Sequence, residues 1–249
     1  MQSGIYDLSG SVIPIENSIN CISRAAFEKP CIALAGAGGK TTTMFYLARI
    51  YAKAGKKVLV TTSTHIWKPA DDLSAYCPED IEKIWGRKLP AVIGKAEQNK
   101  WVSPDQHFFQ TAYEMADVIF IEADGSKQRP CKVLRNQEPV IRDCVTDIIC
   151  VFGLSALGKT IGEAAYPPTL AANILEVKED HILNKQDMVM LIQNYLNELS
   201  KKIRNNPVVF LNQADEEEDF RQGKEIAITL QRNQQVRCYL THYESSDRA

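Results

Sequence analysis

The chain lacks a CxxC cysteine pair, an apolar run of membrane-spanning length, a basic excess and any low-complexity tract. Each absence removes a class of function. A formal net charge of −2 over 249 residues offers no cationic surface to offset phosphate repulsion, so nucleic acid is not an expected partner. No hydrophobic segment approaches the roughly 20 residues that cross a bilayer, so no membrane is expected either. The opening MQSGIYDLSGSVIP has neither the basic start nor the apolar core of a signal peptide. The seven cysteines are an odd number, widely scattered, and several lie in apolar runs such as CIALAG and DIICVFG. Such thiols act as small hydrophobes, and their spacing suggests no zinc site. A cytoplasmic, reduced protein is expected. No repeat or Pro/Gly-rich linker cuts the chain. A single domain over 1–249 is therefore expected, with a lead-in at 1–29 and an insertion at 66–104, where Pro69, Pro78, Pro90 and Pro104 interrupt the pattern.

What is present is an alternation of short apolar runs and amphipathic stretches. CIALAG (31–36), KVLVTT (57–62), AVIG (91–94), DVIFIEAD (117–124), TDIICVFG (146–153) and VRCYL (236–240) read as strands, and PVVFLNQAD (207–215) as a strand at 208–211 followed by a loop. Helical patterns fall near 15–27, 40–54, 78–85, 105–115, 168–177 and 184–204, and a last one opens at DEEEDF, whose acids favour the positive end of the helix dipole. Asn184 reads as an N-cap with Asp187 in its first turn. Uniformly apolar strands alternating with helices predict an α/β fold, P-loop NTPase-like, with a mainly parallel sheet and helices on both faces.

The segment GAGGKTTT, Gly36 to Thr43, is the strongest chemical signal. The strict pattern GxxxxGK[ST] fails, because its first glycine falls at Leu34. The shorter G-x-x-G-K-T-T is intact, and composition alone supplies such a string in roughly 1% of chains this long. It follows an apolar strand and opens a helix, which is where a phosphate cradle must lie. Gly36, Gly38 and Gly39 permit the turn and let backbone N–H groups face an anion. Lys40 would neutralise β- and γ-phosphate oxygens, Thr41 would complete a Mg²⁺ shell, and Thr42 is expected with them among the nucleotide-binding residues. The bland alternative is a glycine-rich strand-to-helix turn.

Ligands of such sheets sit beyond the carboxyl ends of the strands. One end carries Thr61 to His65, where His65 would orient a water or a substrate, or cap a helix. Another carries Glu122 and Asp124, placed as the acids that reach Mg²⁺; Asp124 is taken with Thr41 as the metal pair, and both acids with Lys132 as the catalytic group. The ordinary reading of these acids is a surface turn. A third end carries Asn212-Gln213-Ala214-Asp215, similar to the N-[KQ]-x-D loop with which GTPases read guanine; Asn212 and Asp215 would hold the base, unless Asp215 merely caps the last helix. GTP or ATP is the expected nucleotide, with a slight lean to guanine.

GAGGKTTTMFYLA, VTTSTHI, IEADGSK, Lys132 followed by NQEPVI, GLSALGK and the late LNQAD occur here in one order. Together they resemble the YqeC family, accessory proteins associated with selenium-dependent molybdenum hydroxylases, over about Ile32 to Asp215. The resemblance implies a P-loop nucleotide-binding fold and a role in maturing such an enzyme or its cofactor, with the hydroxylase or that cofactor as partner. The chain departs from the pattern at Gln213, where lysine is usual, and around Lys132, where CKVL stands for an apolar-Lys-Ala-Pro string. Cys131 lies outside the pattern and is not cast as a selenium carrier. The expected function is an NTP-binding, Mg²⁺-dependent, NTP-hydrolysing maturation factor. A ligase or kinase with a phosphate loop similar to Mur-type ligases, and a non-hydrolysing binding module, are the competing classes.

Overall fold

Apolar segments bounded by glycine and polar residues become the strands of the computed structural model, which describes residues 2–14, 22, 29–97, 100–203 and 207–244. The strands are β1 (Gly4–Tyr6), β2 (Cys31–Gly36), β3 (Val58–Thr62), β4 (His65–Trp67), β5 (Ser74–Ala75), β6 (Ala91–Ile93) and β7 (Lys95–Glu97). They continue with β8 (Lys100–Val102), β9 (Val118–Glu122), β10 (Cys131–Lys132), β11 (Asp147–Gly153), β12 (Ala165–Tyr166), β13 (Val208–Asn212) and β14 (Arg237–His242). The helices are α1 (Lys40–Lys53), α2 (Pro78–Gly86), α3 (Gln106–Met115), α4 (Ile161–Ala164), α5 (Pro168–Leu175), α6 (Lys185–Ser200) and α7 (Glu217–Gln234). The helix expected near 15–27 lies outside the described residues, apart from the buried Ile22.

Nine strands form one sheet in the order β1-β14-β13-β11-β2-β9-β3-β6-β5. Every pairing in it is parallel except that of the edge strand β1 with β14. This is the α/β, mainly parallel architecture expected. The period of two sends alternate residues of β2 to opposite layers. Ile32 and Leu34 share a core with Met44, Leu47 and Ala48 of α1. Ala33 and Ala35 share the other with Leu191 and Ile192 of α6 and Ile226 and Leu230 of α7. The chain leaves β2 towards β3 on one side and later returns to β11 on the other. The carboxyl end of β2 is therefore the point where the strand order reverses, the crevice in which doubly wound sheets bind ligands.

Local chemistry sets the helix starts. The Asn184 side chain accepts from the N–H groups of Gln186 and Asp187 at 2.8 and 3.2 Å, and Asp187 reaches back to the Asn184 N–H, closing a capping box. At α7 the cap is Glu216 with Asp219, not Asp215. Within 66–104, β5 and β6 extend the main sheet, whereas β4, β8 and β7 make a separate antiparallel sheet with the fully buried Trp101 at its centre. The strands β1, β5, β10 and β12 and the helix α4 are too short to carry a readable period, and only the fold reveals them.

Candidate functional site

The loop after β2 owes its path to glycine. Gly36, Gly38 and Gly39 hold φ of 95°, 76° and 118°, values that side-chain-bearing residues rarely adopt. A Cβ at Gly36 would stand 2.3 Å from Val151 O, and one at Gly39 would stand 2.1 Å from Asn212 Nδ2. The N–H groups of the first three loop residues are spent inside the protein: Gly36 on Asp124 Oδ2 at 3.0 Å, Ala37 on Val151 O at 2.7 Å and Gly38 on Arg129 O at 3.2 Å. They shape the loop, which corrects the expectation that all of them face an anion. The N–H groups that point past the loop begin later. The helix's first backbone bond is Thr43 N–H to Gly39 O, and α1 has no side-chain cap. The amides of Lys40, Thr41 and Thr42 therefore have no helical acceptor, and they lie at the positive end of the helix.

The two acids after β9 play different parts. Glu122 accepts a 2.6 Å hydrogen bond from Thr41 Oγ1. Burial pushes its pKa up and the charge of Asp124 pushes the same way, against Lys40 and the Thr41 hydroxyl. Asp124 is fully buried. Its Oδ2 accepts from Gly36 N–H and, at 3.2 Å, from the Tyr195 hydroxyl of α6, and stands 3.2 Å from Lys132 Nζ. Its Oδ1 faces Lys40 Nζ at 3.3 Å as an ion pair without a hydrogen bond, while Lys40 donates to Gly36 O at 2.8 Å. Thr41 is thus joined by Glu122, where the sequence pointed to Asp124.

Lys132 is placed beside Asp124 but away from any open surface. It is fully buried, donates to Gly125 O at 2.5 Å, and is ion-paired with Glu138 at 2.9 Å and with Asp124. Two buried carboxylates and one carbonyl surround the ammonium, which faces inward to the acids. Burial would raise the Glu138 pKa, yet the hydrogen bonds from Arg135 and Lys132 outweigh it and hold the pKa low. Pairing of β10 with β12 sets Lys132 opposite Tyr166. Glu138 stood in the string NQEPVI and was open to discovery in the sequence. Tyr195 lies on a helix with nothing local to mark it.

The loop after β13 is tied to the cradle. Asn212 Nδ2 donates to Gly38 O at 2.8 Å and its Oδ1 accepts from Thr241 at 2.9 Å. Gln213, at φ 65°, turns its Oε1 to the Ser155 hydroxyl at 2.6 Å. Asp215 Oδ1 pairs with His242 Nδ1 at 2.7 Å. His65, on β4, is mostly exposed and 3.7 Å from Glu97, so it caps no helix.

A family model described as "YqeC protein" matches residues 32–167. The protein YqeC of Escherichia coli (strain K12) is 30% identical over 190 residues, covering 72% of this chain and 74% of its own. Among solved structures, the signal recognition particle receptor FtsY from Elizabethkingia anophelis aligns with TM-score 0.45 at 16% identity over 90% of this chain. FtsY from Mycoplasma mycoides aligns with TM-score 0.43 at 14% identity over 94% of this chain and 72% of its own. The chain covers 62% of the first receptor's length.

Proposed function

The chain belongs to the YqeC family, and on that footing we propose that it is a Mg²⁺-dependent nucleoside-triphosphate-binding and -hydrolysing factor serving the maturation of a selenium-dependent molybdenum hydroxylase or its cofactor. The observation that carries the nucleotide part is the contact of Thr41 with Glu122 beside Lys40, at an uncapped helix start. A hydroxyl and a carboxylate are both hard oxygen donors, and Thr41 and Glu122 would hold a Mg²⁺ ion there. When bound, the ion neutralises charge on the β- and γ-phosphates. The chain's own groups do the rest. Amides of Lys40 to Thr42 hold phosphate oxygens. Lys40, now folded onto Gly36 O and Asp124, swings its ammonium to the triphosphate. Asp124 anchors Gly36 and Lys40 from beneath, and Lys132 with Tyr195 fixes Asp124; these are positioning roles. Asn212 holds the base-side loop against the cradle, and Asp215 reads the base, with guanine favoured.

Replacing Lys40 by alanine should weaken triphosphate binding about 10- to 100-fold, the loss of one charge-assisted contact of about 1.5–3 kcal/mol. Glu122→Gln should bind nucleotide but release no phosphate with Mg²⁺. Calorimetry and a phosphate-release assay measure both, and equal affinity of wild type and Lys40→Ala removes the reading. Hydroxylase activity in cells carrying only the Lys40→Ala form tests the maturation role; full activity there refutes it.

A further inference from the structure

The cradle opens sideways into a cavity of about 850 Å³. Lys40, Thr41 and Glu122 line its near end, and no residue of β13 or of the loop after it lines any part. The strand order explains the asymmetry: β13 lies on one side of β2, whereas β9 and β3 lie on the other. If the base sits over the loop after β13, the cavity lies beyond the opposite, γ-phosphate end of the nucleotide. It is therefore a second space, not the base's own.

The far end has its own chemistry. Trp67 on β4 is 59% exposed, a large ring left to solvent in a chain that buries Trp101 completely nearby. Lys100 Nζ lies 5.1 Å from the Trp67 ring. Elsewhere in the lining, Lys127 Nζ and the Arg135 guanidinium lie 5.2 and 5.4 Å from the Tyr166 ring. Arg135 is paired with Glu138. Lys100 and Lys127 have no carboxylate within 4 Å among the described residues, and each lies over a ring face instead. The backbone under this end is strained as well. Lys127 and Gln128 hold φ of 48° and 61° in succession, a costly conformation that gathers at ligand sites.

We infer that this cavity binds a second ligand, a small anionic molecule with a flat conjugated ring, its ring against Trp67 and its anionic group on Lys127. The inference rests on the proposed nucleotide reading for its position and on the cavity's own groups for its ligand class. A ligand held there lies beside Lys40, Thr41 and Glu122, the cradle residues that line the same cavity.

Riboflavin 5′-phosphate is a suitable probe, and riboflavin is its uncharged control. Flavin fluorescence is titrated against the full chain, with the cradle filled by nucleoside diphosphate and Mg²⁺. The phosphorylated flavin should bind at least about tenfold more tightly than riboflavin, the worth of one charge-assisted contact. Lys127→Ala should cut its affinity roughly five- to tenfold and leave riboflavin unaffected, whereas Trp67→Leu should weaken both. Equal affinity for the two flavins, no binding of either, or unchanged affinity in both variants overturns the inference. So does strict competition with nucleotide, which would make the cavity part of the nucleotide site. Nucleotide affinity measured on the same wild-type protein separates the two readings. Nucleotide binding without flavin binding removes the second site alone; flavin binding without nucleotide binding removes the proposed function alone.

Discussion

The loop after β2 and the loop after β13 share a hydrogen bond, from Asn212 to Gly38 O, yet they spend their polar groups differently. In the first, the motif residues meet one another. Thr41 meets Glu122, Lys40 meets Asp124, and the helix start has no side-chain cap among the described residues. In the second, each motif residue is engaged elsewhere: Asn212 with Gly38 and Thr241, Gln213 with Ser155, Asp215 with His242. The difference teaches that the same kind of string can be a site or a strut. A side chain whose partners are other members of the motif points to chemistry. One whose partners are neighbouring elements first holds the fold together, and any reading of a base must compete with that.

The contrast is broken most severely at Asp124. Asp124→Ala leaves Lys40 and Lys132 facing each other without the buried acid, and should destabilise the protein by about 3–5 kcal/mol. Urea unfolding followed by circular dichroism measures this; a loss below about 1 kcal/mol would mean that water takes the acid's place. Asn212→Ala comes next. It leaves Gly38 O and the buried Thr241 hydroxyl without their partner and should cost about 1–3 kcal/mol, with a parallel fall in nucleotide affinity as the cradle loosens. If affinity falls while stability does not, Asn212 is a ligand group and the strut reading fails.

The pH dependence sharpens the comparison from the cradle's side. Glu122 has its pKa raised above the ordinary 4.5, so the fold favours the protonated acid. That stability is complete below the ordinary value and is lost as pH rises through the raised one. Mg²⁺ with nucleotide needs the carboxylate, so affinity should fall as pH drops towards the raised pKa, by up to about tenfold per pH unit for one proton. Calorimetry across a pH series should show this slope in wild type and not in Glu122→Gln.

The smallest effect is expected at the partly exposed pair of Asp215 and His242. Asp215→Ala should cost at most about 1 kcal/mol of stability. If the carboxylate reads guanine, His242 and the base compete for it. His242→Ala should then raise the ratio of GTP to ATP affinity roughly threefold, and Asp215→Ala should lower it. A ratio that ignores both substitutions makes this pair purely structural.

Much of this was legible in the residues. Apolar strands ending in glycine or acid, a glycine string before an amphipathic helix, and an asparagine three residues ahead of an aspartate on a helix start each carry their cause locally. β2, α1, β9 and the capping box at α6 follow from such patterns. The extent of the 66–104 segment was less legible, because β4, β7 and β8 have three residues each, and such short strands are defined by what they pair with. Tyr195 and Thr241 had no mark at all, since a buried hydroxyl on an otherwise apolar face matters only for what it meets.

What the sequence by itself determined is the set of elements and the place of the cradle, because backbone turns, helix starts and alternating burial depend on residues close together in the chain. The tertiary structure alone decided which acid serves Thr41, why Lys132 is a buried support, and that Asn212 is bonded to Gly38. Those contacts join residues 81, 7 and 174 positions apart, and their energies depend on burial and on the full set of neighbouring charges. No local pattern encodes either quantity; they exist only once β9, β2, β11 and β13 have joined in one sheet.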